Sequence, residues 1–145
     1  MSDPANHALD GWAKAAAARL GRETHCSITL RRGGLLTYVG SSDERAERCD
    51  AVEVRAGAGP CVTAMNQLSG VLVPDLQAET RWPEWREAAL AAGFASAAAL
   101  PAYVDEHTTI ALNMYSDLLD PWDRDTLVGM DGYVQQIAEG VRTSL

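Results

Sequence analysis

The stretch Gly57–Trp85, GAGPCVTAMNQLSGVLVPDLQAETRWPEW, decides how the rest of the chain is read. It opens on Gly57, Ala58 and Gly59, small residues that let the backbone turn where a Cβ would hinder it. Pro60 suits the first position of a helix, where its missing N–H has no intrahelical partner to lose. Cys61, Ala64, Met65 and Leu68 then stand at offsets 0, 3, 4 and 7, which predicts one apolar face of a short helix ended by Gly70. Val71, Leu72 and Val73 read as a buried strand stopped by Pro74. Pro83 starts a second helix with Trp85, Ala88, Ala89 and Ala92 inward, and Gly93 closes it.

Working outward, Asp3 and Pro4 predict the cap and first residue of a helix to about Leu20, with Leu9, Trp12, Ala13, Ala16 and Leu20 on one face. Gly21 stops it. Cys26, Ile28 and Leu30 alternate with Ser27, Thr29 and Arg31 as in a half-buried strand, and Gly33-Gly34 predicts a hairpin into Leu35–Val39. Ser41–Arg48 is too polar to pack by itself. Ala46, Cys49 and Val52 suggest one apolar edge of a short helix before the glycine turn.

Beyond Gly93, the alanine-rich segment Ala95–Val104 favours helix on propensity alone. The preceding glycine stop and Pro101, which would break a helix interior, argue for strand instead. Thr108–Ser116 alternates cleanly, with Ile110, Leu112 and Met114 on one side and Ala111, Asn113 and Tyr115 on the other. Asp120 is expected to cap a last helix. Leu127, Met130, Val134, Ile137 and Val141 on it form a narrow seam of the kind that lies along another helix.

The motifs GPC, VPDL and RWPEW, then Gly93 and the strand Ile110–Ser116, occur in an order that resembles a GAF domain. The nearest sub-type is the actinobacterial sensor domain often fused to an RNA-binding ANTAR domain. The resemblance runs from about Asp50 to Trp122. It implies an α+β fold: a central antiparallel sheet with terminal helices on one face and short helices and loops on the other. The alanine segment also fits the family, in which a proline sits near the end of that strand. Where the family carries an Asp followed three residues on by Gln, this chain has Asp50 and Glu53. Glu53 is read either as a solvated surface residue or as a charge at the mouth of a pocket. The chain is expected to be a stand-alone regulator or a piece of a longer protein, without an ANTAR domain.

The totals limit what the chain can do. Its 145 residues suit a single domain spanning 1–145. Twelve basic against twenty acidic residues give a net charge of −8, which disfavours binding to nucleic acid or an anionic membrane. Neither a signal peptide nor a membrane-length apolar run is visible, and a cytoplasmic location is expected. Cys26, Cys49 and Cys61 are odd in number, widely spaced and without a CxxC pair, so neither a metal site nor a disulfide is expected. Cys61 sits at a helix N-terminus, where dipoles can lower a thiol pKa; equally, it can pack under the turn as a small apolar residue. His7, His25 and His107 are scattered and lack metal-ligand spacing.

The resulting expectation is a non-enzymatic sensory or regulatory domain that holds a small molecule between sheet and short helices. No cofactor or ligand is named by the sequence. Cys61, Met65, Trp82, Asn113 and Tyr115 are the expected site: Trp82 to stack on a flat ligand, Asn113 as a polar residue in mid-strand that needs a partner. A homodimer through the first and last helices is expected. The rival readings are a thiol-based redox sensor or methionine-sulfoxide-reductase-like enzyme, and a dimerisation module without ligand. The absence of cysteine from Val62 to Leu145 counts against the enzyme.

Overall fold

The computed structural model describes residues 4–21 and 23–144, with the backbone alone described at 4–8, 38, 39 and 144. In chain order the elements are α1 (Pro4–Leu20), β1 (Thr24–Arg32), β2 (Leu35–Ser41), α2 (Glu44–Ala56), α3 (Pro60–Gln67), β3 (Val71–Val73), α4 (Pro83–Ala91), β4 (Ser96–Asp105), β5 (Thr108–Ser116) and α5 (Arg124–Ser144). The strands form one antiparallel sheet in the order β2-β1-β5-β4-β3. This is the α+β architecture expected: α1 and α5 cover one face, and α2, α3 and α4 the other.

The alternation in β5 sorts its side chains as predicted. Ile110, Leu112 and Met114 join Ile28, Ala98, Leu100 and Val104 under the terminal helices. Fully burying an aliphatic side chain of this size is worth about 1.5–3 kcal/mol, so this layer carries much of the fold's stability. The seam on α5 is used within the chain: Met130, Val134, Ile137 and Val141 are buried in that same core, with Leu127 packed at its edge. On the other face Ala97 and Ala99 are buried beneath the short helices, so the small residues of β4 permit close packing.

Local readings differ from the structure at several points. α3 ends at Gln67. Leu68 turns left-handed (φ 50°) as its cap and is exposed, so it leaves the inner face, and Gly70 is not the terminator. β3 is an edge strand paired only with β4, and Leu72 points outward. α5 is capped by Asp123, whose Oδ1 accepts from Thr126 N–H at 2.8 Å; Asp120 instead lies in the left-handed turn before it (φ 42°). The predicted cap at Asp3 lies outside the described residues.

Candidate functional site

The second helix sets the chemistry of the short-helix face. Asp43 caps it, accepting from Ala46 N–H at 3.1 Å. Its buried residues are Ala46, Cys49, Asp50 and Glu53. That is an i, i+3, i+4, i+7 face in which the last two members are carboxylates. Both are enclosed: Asp50 is 0% and Glu53 1% exposed. The reading of Glu53 as a solvated surface residue is therefore overturned, because α2 lies with this face down on the sheet.

Each carboxylate is held by donors from another element. Thr29 Oγ1 on β1 donates to Asp50, 2.9 Å from Oδ1 and 2.8 Å from Oδ2. Asn113 Nδ2 on β5 donates to Asp50 Oδ1 at 2.7 Å and approaches Ser27 Oγ and Thr29 Oγ1 at 3.2 and 3.0 Å. Glu53 Oε2 accepts from the Cys61 N–H at 2.8 Å, so a side chain of α2 satisfies an orphan donor at the start of α3. The glycine turn makes this possible. Gly57 closes α2 in a left-handed conformation (φ 65°), and a Cβ on Gly59 would stand 2.1 Å from Glu53 Oε2 and 2.2 Å from its Cγ.

No ion pair among the described residues involves Asp50 or Glu53. Burial raises the pKa of Asp50, against the lowering effect of hydrogen bonds from Thr29, Ser27 and Asn113. Burial also raises Glu53, reinforced by the charge of Asp50. The site is a buried acidic pair that holds protons more tightly than free carboxylates do. One polar atom beside it is unsatisfied: Asn113 Oδ1 is buried without a hydrogen-bond partner.

The five residues expected at the site all face the short helices, on two neighbouring clusters and the polar network. Cys61 and Met65 lie against Ala99 and Ala111, with Trp82 packed at the edge. Tyr115 packs with Trp85, whose Nε1 donates to the Tyr115 hydroxyl at 3.1 Å. Trp82 stands edge-on to Trp85 with the Arg81 guanidinium over its ring. Cys61, Met65, Asn113 and Tyr115 are each 2% exposed or less, so they close on one another and on Asp50 and Glu53 with no water-sized opening between them.

The family model for the GAF domain matches residues 9–140. The chain belongs to the GAF domain family. Solved structures agree on the fold. A GAF domain region from Geobacter sulfurreducens superposes with a TM-score of 0.70 at 18% identity, covering 96% of this chain and 93% of that one. The photoproduct state of GAF3 from Slr1393 of Synechocystis gives 0.68 at 9% identity, covering 97% and 94%. The type II free methionine-R-sulfoxide reductase of Thermoplasma acidophilum gives 0.64 at 15% identity, covering 96% and 93%. No curated protein matches the sequence.

Within this GAF domain all three thiols are free and buried. Burial pushes Cys49 up to about 12, and the charges of Asp50 and Glu53 add to it. Burial raises Cys61 well above an ordinary thiol, again assisted by Glu53 and Asp50. Burial, with the neighbouring carboxylates adding to it, makes Cys61 the packed residue under the turn and not an activated thiol in this arrangement.

His25 has partners that its position in the sequence did not disclose. Its Nδ1 lies 2.5 Å from Asp43 Oδ2, and its Nε2 lies 3.2 Å from Arg45 Nη1. Arg45 in turn pairs with Asp117 and donates to the Ala92 carbonyl. Burial works to raise Asp43, but hydrogen bonds from His25, Ala46 N–H and Ser42 overcome it and hold the carboxyl below the usual range. The cluster ties the start of α2 to the end of α4, beside a cleft of about 420 Å³ lined also by Lys14 and Thr24. His107 is exposed beside Glu106, and the side chain of His7 lies outside the described residues.

Proposed function

We propose that this GAF domain is a non-enzymatic sensory or regulatory domain in signal transduction, whose signal is a small ligand bound between the sheet and the short helices. The observation that carries the reading is the buried acidic pair Asp50 and Glu53 beside the unsatisfied Asn113 Oδ1. A layer that served packing alone would need no carboxylates there, and the buried cluster of the opposite layer has none, because burying charged groups is costly. Cys61, Met65, Trp82, Asn113 and Tyr115 line the same interface. Because that interface is closed, a small-molecule ligand enters by displacing α3 or α4. Output through a second copy docked on α1 and α5 completes the proposal, and it uses the outer surface of α5, where Val128 is exposed, because the seam is taken up within the chain.

Native mass spectrometry of the protein purified from its own cells tests the reading. A non-covalent mass retained on the wild-type chain and lost from Asn113→Leu supports it. A bare chain, together with an Asn113→Leu variant as stable as wild type, overturns it in favour of a dimerisation module without ligand.

A further inference from the structure

The acidic pair has a third member. Asp50, Glu53 and Cys61 each offer one donor atom, and those atoms all lie within 4.8 Å of one another, all buried. The neighbouring Asn113 amide turns its nitrogen to Asp50 at 2.7 Å, and its Oδ1 is a buried acceptor with no donor. Such a set lacks positive charge. It also lacks room, since its four residues are 0–2% exposed. An organic ammonium would need a cavity there, whereas a bare ion needs only that the donors draw together.

We propose that Asp50, Glu53 and Cys61 bind a divalent thiophilic metal ion of the zinc class. The donor chemistry selects the class: a thiolate favours zinc or cobalt over magnesium or calcium, which prefer all-oxygen shells. The carboxylates are held in place by hydrogen bonds from neighbouring elements, as the outer partners of metal-bound carboxylates hold them. Thr29 Oγ1 lies across both Asp50 oxygens, Asn113 Nδ2 donates to Asp50 Oδ1, and the Cys61 N–H donates to Glu53 Oε2. On binding, metal–sulfur and metal–oxygen bonds form. The Cys61 thiol proton and any proton held by the carboxyls pass to solvent, and no electrons are transferred. The inference deepens the sensory reading and rests on it in taking this interface as the ligand site.

Full-length protein, stripped with chelator and refolded from denaturant with cobalt(II) so that access is not limiting, provides the test. The expected result is one cobalt per chain with a thiolate-to-cobalt charge-transfer band, displaced by zinc and unaffected by magnesium. Cys61→Ser loses the band, Glu53→Gln weakens uptake at least tenfold, and Thr29→Val, which removes only the hydroxyl behind Asp50, weakens it about tenfold. A folded wild-type chain that shows no band and retains no metal overturns the proposal, whether or not any variant folds. If that same chain carries an organic mass when purified from its cells, the metal proposal falls and the sensory reading stands. If it carries neither, the metal proposal falls, and the sensory reading falls with it when Asn113→Leu is also as stable as wild type.

Discussion

The two faces of the central sheet obey different rules. Under α1 and α5 the layer is Ile28, Leu100, Val104, Ile110, Leu112 and Met114 against Met130, Val134 and Ile137, without a charged group in the buried cluster. Under α2, α3 and α4 the strands present Ser27, Thr29, Asn113 and small alanines, and the helices return two carboxylates and a thiol. Both faces are equally closed to water. The first gains stability from burial; the second gives some up, because enclosing carboxyls without a counter-charge is unfavourable even when they are hydrogen-bonded. The difference separates the layer that holds the fold from the layer that carries its buried polar groups.

Truncation on the apolar face should have the largest effect. Leu112→Ala is expected to lose about 2–5 kcal/mol in urea unfolding; a loss under about 1 kcal/mol would mean that this layer is not the stabilising one. On the polar face Gly59→Ala forces the Glu53 side chain off the start of α3 and strains the backbone at φ 157°, and we expect the lost contact alone to cost about 1–2 kcal/mol, the scale of a helix cap. Glu53→Ala removes the same contact, so the double variant should lose clearly less than the sum. Simple additivity would show that Gly59 and Glu53 do not act together.

The acidic pair predicts a pH dependence for metal-free protein. Folding raises both carboxyl pKa values, so the native state holds protons that the unfolded chain releases near pH 4. This contribution is fully present below the ordinary carboxylate range and is lost as pH rises through the raised native values toward neutral. Urea midpoints should therefore fall over that interval, and Asp50→Asn should flatten the fall. A midpoint in Asp50→Asn that tracks wild type at every pH would remove the electrostatic side of the comparison. The smallest effect is expected outside both layers. Val128, 64% exposed on α5, should accept Asp with a change within about 0.5 kcal/mol, while light scattering reports whether the substitution separates a pair of chains.

Much of the apolar face was legible in the sequence, because period-two and period-3.6 patterns report burial directly when the buried residues are apolar. The alternation of β5 and the α5 seam are the clearest cases. The polar face was only partly legible. Ala46, Cys49, Asp50 and Glu53 stand at helical offsets 0, 3, 4 and 7, but an edge drawn through apolar residues takes Val52 and leaves Glu53 outside. The signal that could have found Glu53 is the glycine at 59, since a turn of this tightness leaves space for a neighbouring side chain. Leu68 and Leu72 misled in the opposite sense: both are large and apolar, yet one caps a helix and the other sits on a sheet edge. Asp120 and Asp123 are both plausible caps by residue type, and only the backbone at 120 decides between them.

The position of β5 in the middle of the sheet has a mechanical consequence. Asn113 faces Asp50, while Leu112 and Met114 on either side of it face α5 through the opposite surface. Both flanks of the strand are paired, to β1 and to β4, so its neighbours fix its register on both sides. Asn113 and the flanking Leu112 and Met114 share that one backbone. A single strand is therefore all that separates the acidic pair from the inner surface of the terminal helices.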